Sequence, residues 1–216
     1  MGKIILSQEQ IDEICQRLGK EISDTLRNDK KIPVIVGVLK GSMNFMMDLI
    51  KYIDIPMFTD YIQVSSYSGT QSTGLVQLLK DLSYDCSDRS VVIVEDVVDT
   101  GRSMRYLQEH IKTHHPKKIY VCALFNKQAA RVENITVDFK GYELQGNEFL
   151  IGYGLDYREL ERNLPYVYGA TPEDVARLDK VLEEEKDYLL DDEEMRLKED
   201  REYEDTLLQK AINEKK

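Results

Sequence analysis

The chain has 216 residues, 42% of them hydrophobic, which is enough to fill a core and excludes a wholly disordered chain. Lys and Arg number 29 against 40 Asp and Glu, a net charge of −11, so nucleic acid is excluded as a main partner, because its binding rests on basic side chains neutralising phosphates. The 3 cysteines (Cys15, Cys86, Cys122) lie far apart with no CxxC spacing, which argues against both a disulfide framework and a zinc site.

The start, MGKIILSQEQ, passes from a short apolar patch into polar sequence and lacks the h-region of a signal peptide. No apolar run approaches the roughly 18–20 residues of a membrane span, and the reading is a soluble, cytosolic protein with no membrane partner. Ser7-Gln8-Glu9-Gln10 has the pattern of a capping box, and Ile11, Ile14, Cys15, Leu18 and Ile22 follow at helical spacing. The continuous apolar run from Ile32 to Leu39 predicts a strand buried on both faces. A helix is predicted over Ser42–Lys51 and a strand over Asp60–Ser66. Ser65 through Gly74 is too polar and glycine-bearing to pack, and reads as a loop.

The pattern then repeats. Val91–Val94 predicts a buried strand, followed by an acidic turn and a helix from about Arg102 to Thr113. His110, His114 and His115 cluster near the end of that helix and read as solubilising or capping residues, not as metal ligands. Ile119–Phe125 and Phe149–Tyr153 predict further strands. Buried strands alternating with helices imply an α/β fold with an open, mostly parallel twisted sheet, in which ligands bind at the carboxyl ends of the strands. From Thr171 the composition changes. Residues 171–216 hold 9 basic and 17 acidic side chains (−8), against 20 and 23 (−3) in residues 1–170. Pro172 suits the first helical position after a Thr cap, and Val175, Leu178, Leu182 and Leu189 can form an apolar stripe. The reading is therefore a domain over 1–170 and an acidic helical extension over 171–216.

The most informative stretch is Glu95-Asp96-Val97-Val98-Asp99-Thr100-Gly101-Arg102-Ser103. Carboxylates arrive at the end of a buried strand, and the chain turns into a helix whose first turn offers backbone N–H groups, two hydroxyls, a glycine and an arginine. Such a turn is a phosphate-binding nest at the positive end of a helix dipole. Carboxylates beside a phosphate repel it unless a cation intervenes, and Mg²⁺ is the usual one. A Walker B reading would need a GxxxxGK[ST] loop, and the sequence has none.

The run EDVVDTGRS resembles the phosphoribosyl-pyrophosphate motif of type I phosphoribosyltransferases. Leu39-Lys40-Gly41-Ser42 resembles that family's pyrophosphate loop, where it uses an unusual cis peptide, and Ser65 through Gly74 its flexible catalytic loop. Phe149 through Tyr157 resembles the purine-binding segment of hypoxanthine-guanine phosphoribosyltransferases. The resemblance covers roughly residues 5–170 and implies a Rossmann-like fold with a small purine-binding hood. It implies transfer of ribose 5-phosphate from phosphoribosyl pyrophosphate to a 6-oxopurine, with release of pyrophosphate. By the same resemblance, Glu95 and Asp96 bind the ribose hydroxyls and Mg²⁺, Asp156 serves as a further metal ligand, and Asp99 is the general base. Thr100, Gly101, Arg102 and Ser103 cradle the 5′-phosphate, while Lys40, Gly41 and Arg162 bind pyrophosphate. Lys127 donates to the 6-oxo group, which favours hypoxanthine or guanine over adenine. Phe149 stacks on the base, Leu150 and Asp156 offer main-chain contacts to it, and Ser66 and Tyr67 close over the sugar. Relatives commonly form homodimers or homotetramers, and the C-terminal helices would serve self-association or docking of another protein.

Overall fold

The computed structural model describes residues 2–66, 76–146 and 148–185. The chain divides into two compact units, one ending at Ala170 and the other starting at Thr171. The first opens with strand β1 (Ile4–Leu6) and helix α1 (Gln8–Leu26). The capping box forms: Ser7 Oγ accepts the Gln10 N–H, and Gln10 Oε1 accepts the Ser7 N–H. Ile11, Cys15, Leu18, Ile22 and Leu26 make the buried stripe of α1.

Among the described residues the remaining elements of this unit are β2 (Val34–Leu39), α2 (Met43–Leu49), β3 (Phe58–Ser66), β4 (Val76–Lys80), β5 (Ser90–Val98), α3 (Arg102–Lys112), β6 (Lys118–Asn126), β7 (Phe139–Glu143), β8 (Leu150–Ile151) and β9 (Val167–Gly169). Six strands form a sheet in the order β4-β3-β2-β5-β6-β7. All neighbours are parallel except β3 and β4. Why the apolar runs are continuous is visible in the side-chain sorting. Ile35, Val92, Val94, Cys122 and Leu124 face a core shared with α1 and α2. Val34, Val36, Val91, Ile93 and Val121 face a second core with Leu107 and Ile111 of α3. Each fully buried Val, Leu or Ile contributes about 1.5–3 kcal/mol, so the central strands need apolar residues at every position.

Several expectations are corrected. The Phe149–Tyr153 strand does not join the parallel sheet; only Leu150–Ile151 is extended, in a separate antiparallel sheet of order β1-β9-β8. Strands β1, β4, β7 and β9 are too short or too polar to stand out in the sequence. Helix α2 stops at Leu49 and tightens into a 3₁₀ turn over Ile50–Tyr52. Strand β5 continues to Val98, past the two adjacent acids.

The second unit begins with a helix, α4, over 172–185. Thr171 Oγ1 accepts the Asp174 N–H, and Asp174 Oδ2 accepts from both the Thr171 N–H and hydroxyl. The apolar residues predicted beyond 185, Leu189 among them, lie outside the described residues. No described helix is long and apolar enough to cross a membrane.

Strand order positions the site. The chain leaves β2 for β3 on one side, whereas β5 lies on the other. The carboxyl ends of β2 and β5 therefore diverge into loops that open a crevice, the place where such sheets bind ligands.

Asp60 fastens the edge of this sheet. It is 7% exposed, and its carboxylate accepts from the Tyr61 N–H (2.8 Å), the Ser83 N–H (2.5 Å), the Tyr84 N–H (3.1 Å) and Lys80 Nζ (3.3 Å). Burial alone would raise its pKa, but these donors outweigh burial and hold it below the usual carboxylate value. A carboxylate with a depressed folded pKa stabilises the protein above its unfolded pKa of about 3.9 and loses that contribution as pH falls through the folded value. Asp60→Asn is expected to cost about 2 kcal/mol at pH 7, and the gap from wild type to close as acid protonates Asp60. Urea unfolding at neutral and acid pH checks this, and equal stability at pH 7 contradicts it.

Candidate active site

At the end of β5, Val91 to Val94 are fully buried and the strand then carries Glu95 and Asp96 side by side. Both acids are partly covered, and both have raised pKa values. Burial is the main cause for each. The Asp96 charge adds to it for Glu95, whereas for Asp96 the Val97 N–H and Glu95 offset part of it. The charge of Arg162 also reaches Asp96. Glu95 Oε2 is buried without a hydrogen-bond partner among the described residues, and so is Asp99 Oδ1.

Beyond Asp99 the chain turns at Gly101, whose φ of +86° caps α3. The Arg105 N–H bonds to the Gly101 carbonyl at 2.8 Å, leaving the amides of the first turn at the helix end. A cavity of about 100 Å³ lies there, lined by Glu95, Asp99, Thr100, Gly101 and Ser103 among others. The Arg102 side chain is exposed. A larger hollow of about 650 Å³ lies elsewhere, against Asp12, Asp48 and Tyr153, and holds none of the predicted residues.

The β2 loop meets this turn across the crevice. The Leu39–Lys40 peptide is cis, and Gly41 lies so close to Asp96 that an added Cβ would overlap its carboxylate. On its other side, the backbone of Gly154 packs on the Gly41 carbonyl. Lys40 Nζ pairs with Glu159 Oε2 at 3.0 Å. Arg162 pairs with Asp156 (2.9 Å) and Glu159 (3.2 Å) and donates to the Gly154 carbonyl (2.6 Å). Asp156 also accepts the Glu159 N–H at 2.7 Å.

The β6 end supplies the third side. Lys127 is 8% exposed; its Nζ stands 4.0 Å from Asp99 Oδ2 and 3.3 Å from the Glu148 carbonyl. Phe149, next to Glu148, is 53% exposed and meets Tyr157 edge to face. Leu150 is buried and its residue pairs with Gly169 in the β8–β9 ladder. Ser66 closes β3; its side chain, and Tyr67, lie outside the described residues.

With the cradle assembled, comparison with known proteins decides its family. Residues 2–158 match the family model of the phosphoribosyl transferase domain. The chain belongs to that family. The hypoxanthine-guanine phosphoribosyltransferase of Streptococcus mutans is 41% identical over 174 residues, 80% of this chain and 94% of that protein. The crystal structure of a hypoxanthine phosphoribosyltransferase from Staphylococcus aureus matches with a TM-score of 0.74 and 40% identity, covering 79% of this chain and 92% of that one. The hypoxanthine phosphoribosyltransferase of Trypanosoma cruzi matches at TM-score 0.77 and 30% identity, over 82% of this chain and 95% of that one.

Within this phosphoribosyltransferase, two residues at the cradle escaped the sequence. Arg131 braces the acidic turn from beneath, donating to the carbonyls of Asp99, Val98 and Ile135 and to Asn126 Oδ1. Glu159 links Lys40 to Arg162. Neither stands in a motif; only the folded loops reveal them.

Gly101 provides a direct test of the turn. Besides its positive φ, a Cβ there would lie 3.0–3.2 Å from Ile135, Arg131 and Glu133 side chains. Gly101→Ala is expected to cost about 1–3 kcal/mol, measured by denaturant unfolding. A variant of wild-type stability contradicts the geometry assigned to this turn.

Proposed function

We propose that this protein transfers the phosphoribosyl group of phosphoribosyl pyrophosphate to N9 of hypoxanthine or guanine, in purine salvage. The contact of Gly41 with Asp96 carries the reading, because it joins the β2 loop to the acidic turn in one cradle. In this reading the α3 first turn, with Thr100, Gly101, Arg102 and Ser103, receives the 5′-phosphate through backbone amides and hydroxyls. Lys40, Gly41 and Arg162 receive pyrophosphate, whose oxygens compete with Glu159 for the two cations. Lys127 donates to the 6-oxo group, and Phe149 supplies an exposed ring for the base.

Glu95 Oε2, without a hydrogen-bond partner among the described residues, and the raised pKa of Glu95 and Asp96 fit a divalent cation. Glu95 and Asp96 would hold Mg²⁺, with Asp156 as a further ligand once Arg162 turns to pyrophosphate. Bound there, Mg²⁺ supplies the positive charge that lets acids and phosphates share one site. The glycosidic C–O bond to pyrophosphate breaks as the C–N bond to the purine forms. Asp99 takes the purine N–H proton, with Lys127 4.0 Å away to balance its charge. The protein orients the partners and excludes water around a cationic sugar transition state.

Purified protein with phosphoribosyl pyrophosphate and Mg²⁺ is expected to convert hypoxanthine and guanine to their monophosphates, and to stop when metal is chelated. Failure with both bases contradicts the proposal. Asp99→Asn should lower turnover about 10²–10⁴-fold; unchanged turnover shows that Asp99 is not the base.

The 171–216 unit contains none of the proposed site residues, and we assign it to self-association as a homodimer or homotetramer. The Trypanosoma cruzi relative, for which the C-terminal region has a role in oligomeric state and activity, supports this. Truncation after Ala170 should lower the number of protomers per particle, measured as sedimenting mass divided by the mass of the truncated chain, while leaving the cradle's residues intact; an unchanged number contradicts the assignment.

A further inference from the structure

Helix α3 has a second polar end, remote from the phosphate turn. Its first turn lines the proposed phosphate cavity, and His110 lies eight residues on, about 12 Å along the axis at 1.5 Å per residue. His110 Nε2 stands 2.7 Å from Asp81 Oδ1, and His114 Nε2 stands 3.8 Å from the same oxygen. The three ligand-capable atoms all fall within 4.8 Å of one another. The chain continues the helical turn beyond Lys112, since the Thr113 N–H reaches the His110 carbonyl and the His114 N–H the Ile111 carbonyl. The two imidazoles thereby meet edge to face, with ring centroids 5.3 Å apart.

We propose that Asp81, His110 and His114 form a binding site for a divalent transition metal, with zinc the best match. Three observations converge on this. Ligands at about 2.0–2.2 Å around a tetrahedral zinc stand about 3.3 Å apart, and the observed 2.7 and 3.8 Å bracket that spacing. Two imidazoles and a carboxylate suit zinc, whereas magnesium takes oxygen ligands, which separates this site from the Mg²⁺ proposed at Glu95 and Asp96. Finally, the side chains are 22%, 29% and 44% exposed for His110, His114 and Asp81, so an ion can enter and water can complete its coordination.

The consequence is structural. Asp81 directly follows β4, which hydrogen-bonds only to β3 among the described strands. A metal held jointly by Asp81 and the α3 histidines ties that edge strand to the helix that begins at the phosphate turn. This proposed site departs from the solubilising or capping role inferred from sequence, because Asp81 lies 29 residues before His110 and only the fold brings them together.

The chain has 3 histidines, so imidazole NMR reports on this site directly and is blind to metal bound by carboxylates alone. Full-length protein without an affinity tag would be titrated with zinc chloride and followed by ¹H–¹⁵N correlation of the imidazole nitrogens. The His110 and His114 signals should shift together and saturate at one zinc per chain, with His115 nearly unmoved and excess Mg²⁺ without effect. His114→Ala should weaken zinc binding at least about tenfold, since loss of even a supporting outer group costs 10–100-fold; His115→Ala should bind as wild type does. Imidazole signals that zinc leaves unmoved, an equal shift at His115, or His114→Ala binding zinc as tightly as wild type would each overturn the site.

Discussion

Two carboxylic acids on consecutive residues of a strand that runs between two apolar cores are held there against their own chemistry. Glu95 and Asp96 are raised in pKa by burial, and Glu95 further by its neighbour's charge. Removing a carboxylate from water costs several kcal/mol unless charge or hydrogen bonds compensate. The surrounding structure is arranged around that cost: Arg162 contributes its charge from the 152–162 segment, Val97 donates a backbone N–H to Asp96, and one oxygen of Glu95 has no partner among the described residues. A site built this way favours the arrival of a cation, and its affinity for anions rises once that cation is in place.

The sheet makes such a placement tolerable. Because β2, β5 and β6 are apolar on both faces through most of their length, the strands are rigid where the acids emerge. The parallel arrangement brings Lys40, Asp99 and Lys127 to one edge from three neighbouring strands. Gly41 and Gly154 then fit where no side chain could: a Cβ on Gly41 would collide with the Asp96 carboxylate, and one on Gly154 with the Gly41 carbonyl. Precision at the cradle thus comes from packing in the sheet, while the polar loops contribute the chemical groups.

Legibility in the sequence followed the physics of each element. The central strands could be read because double-sided burial demands unbroken apolar runs, as in Val91–Val94, and α1 because its cap and stripe are local. Strands β1, β7 and β9 could not, since their pairing partners lie far away and they carry little alternation. The acidic turn could be read as a candidate site because strand, acids, glycine and helix are contiguous. Arg131 and Glu159 were not, because each acts on groups distant in sequence through loops with no periodic signal. The same holds for Asp81 and the histidines, which meet only across β4 and α3. Asp156 shows what the sequence leaves out: the resemblance implies a metal ligand, while its partners here, Arg162 and the Glu159 N–H, come from loop geometry that no motif encodes.

The central claim is that the two partly covered acids and the α3 turn together hold a doubly phosphorylated sugar through a divalent cation. Isothermal calorimetry of phosphoribosyl pyrophosphate against the full-length protein, with and without Mg²⁺, addresses it most directly. The account predicts saturable binding at one sugar per chain in Mg²⁺, weakened at least about tenfold, or 1.4 kcal/mol, when the metal is chelated. Absence of binding in saturating Mg²⁺, or affinity indifferent to the metal, would contradict it.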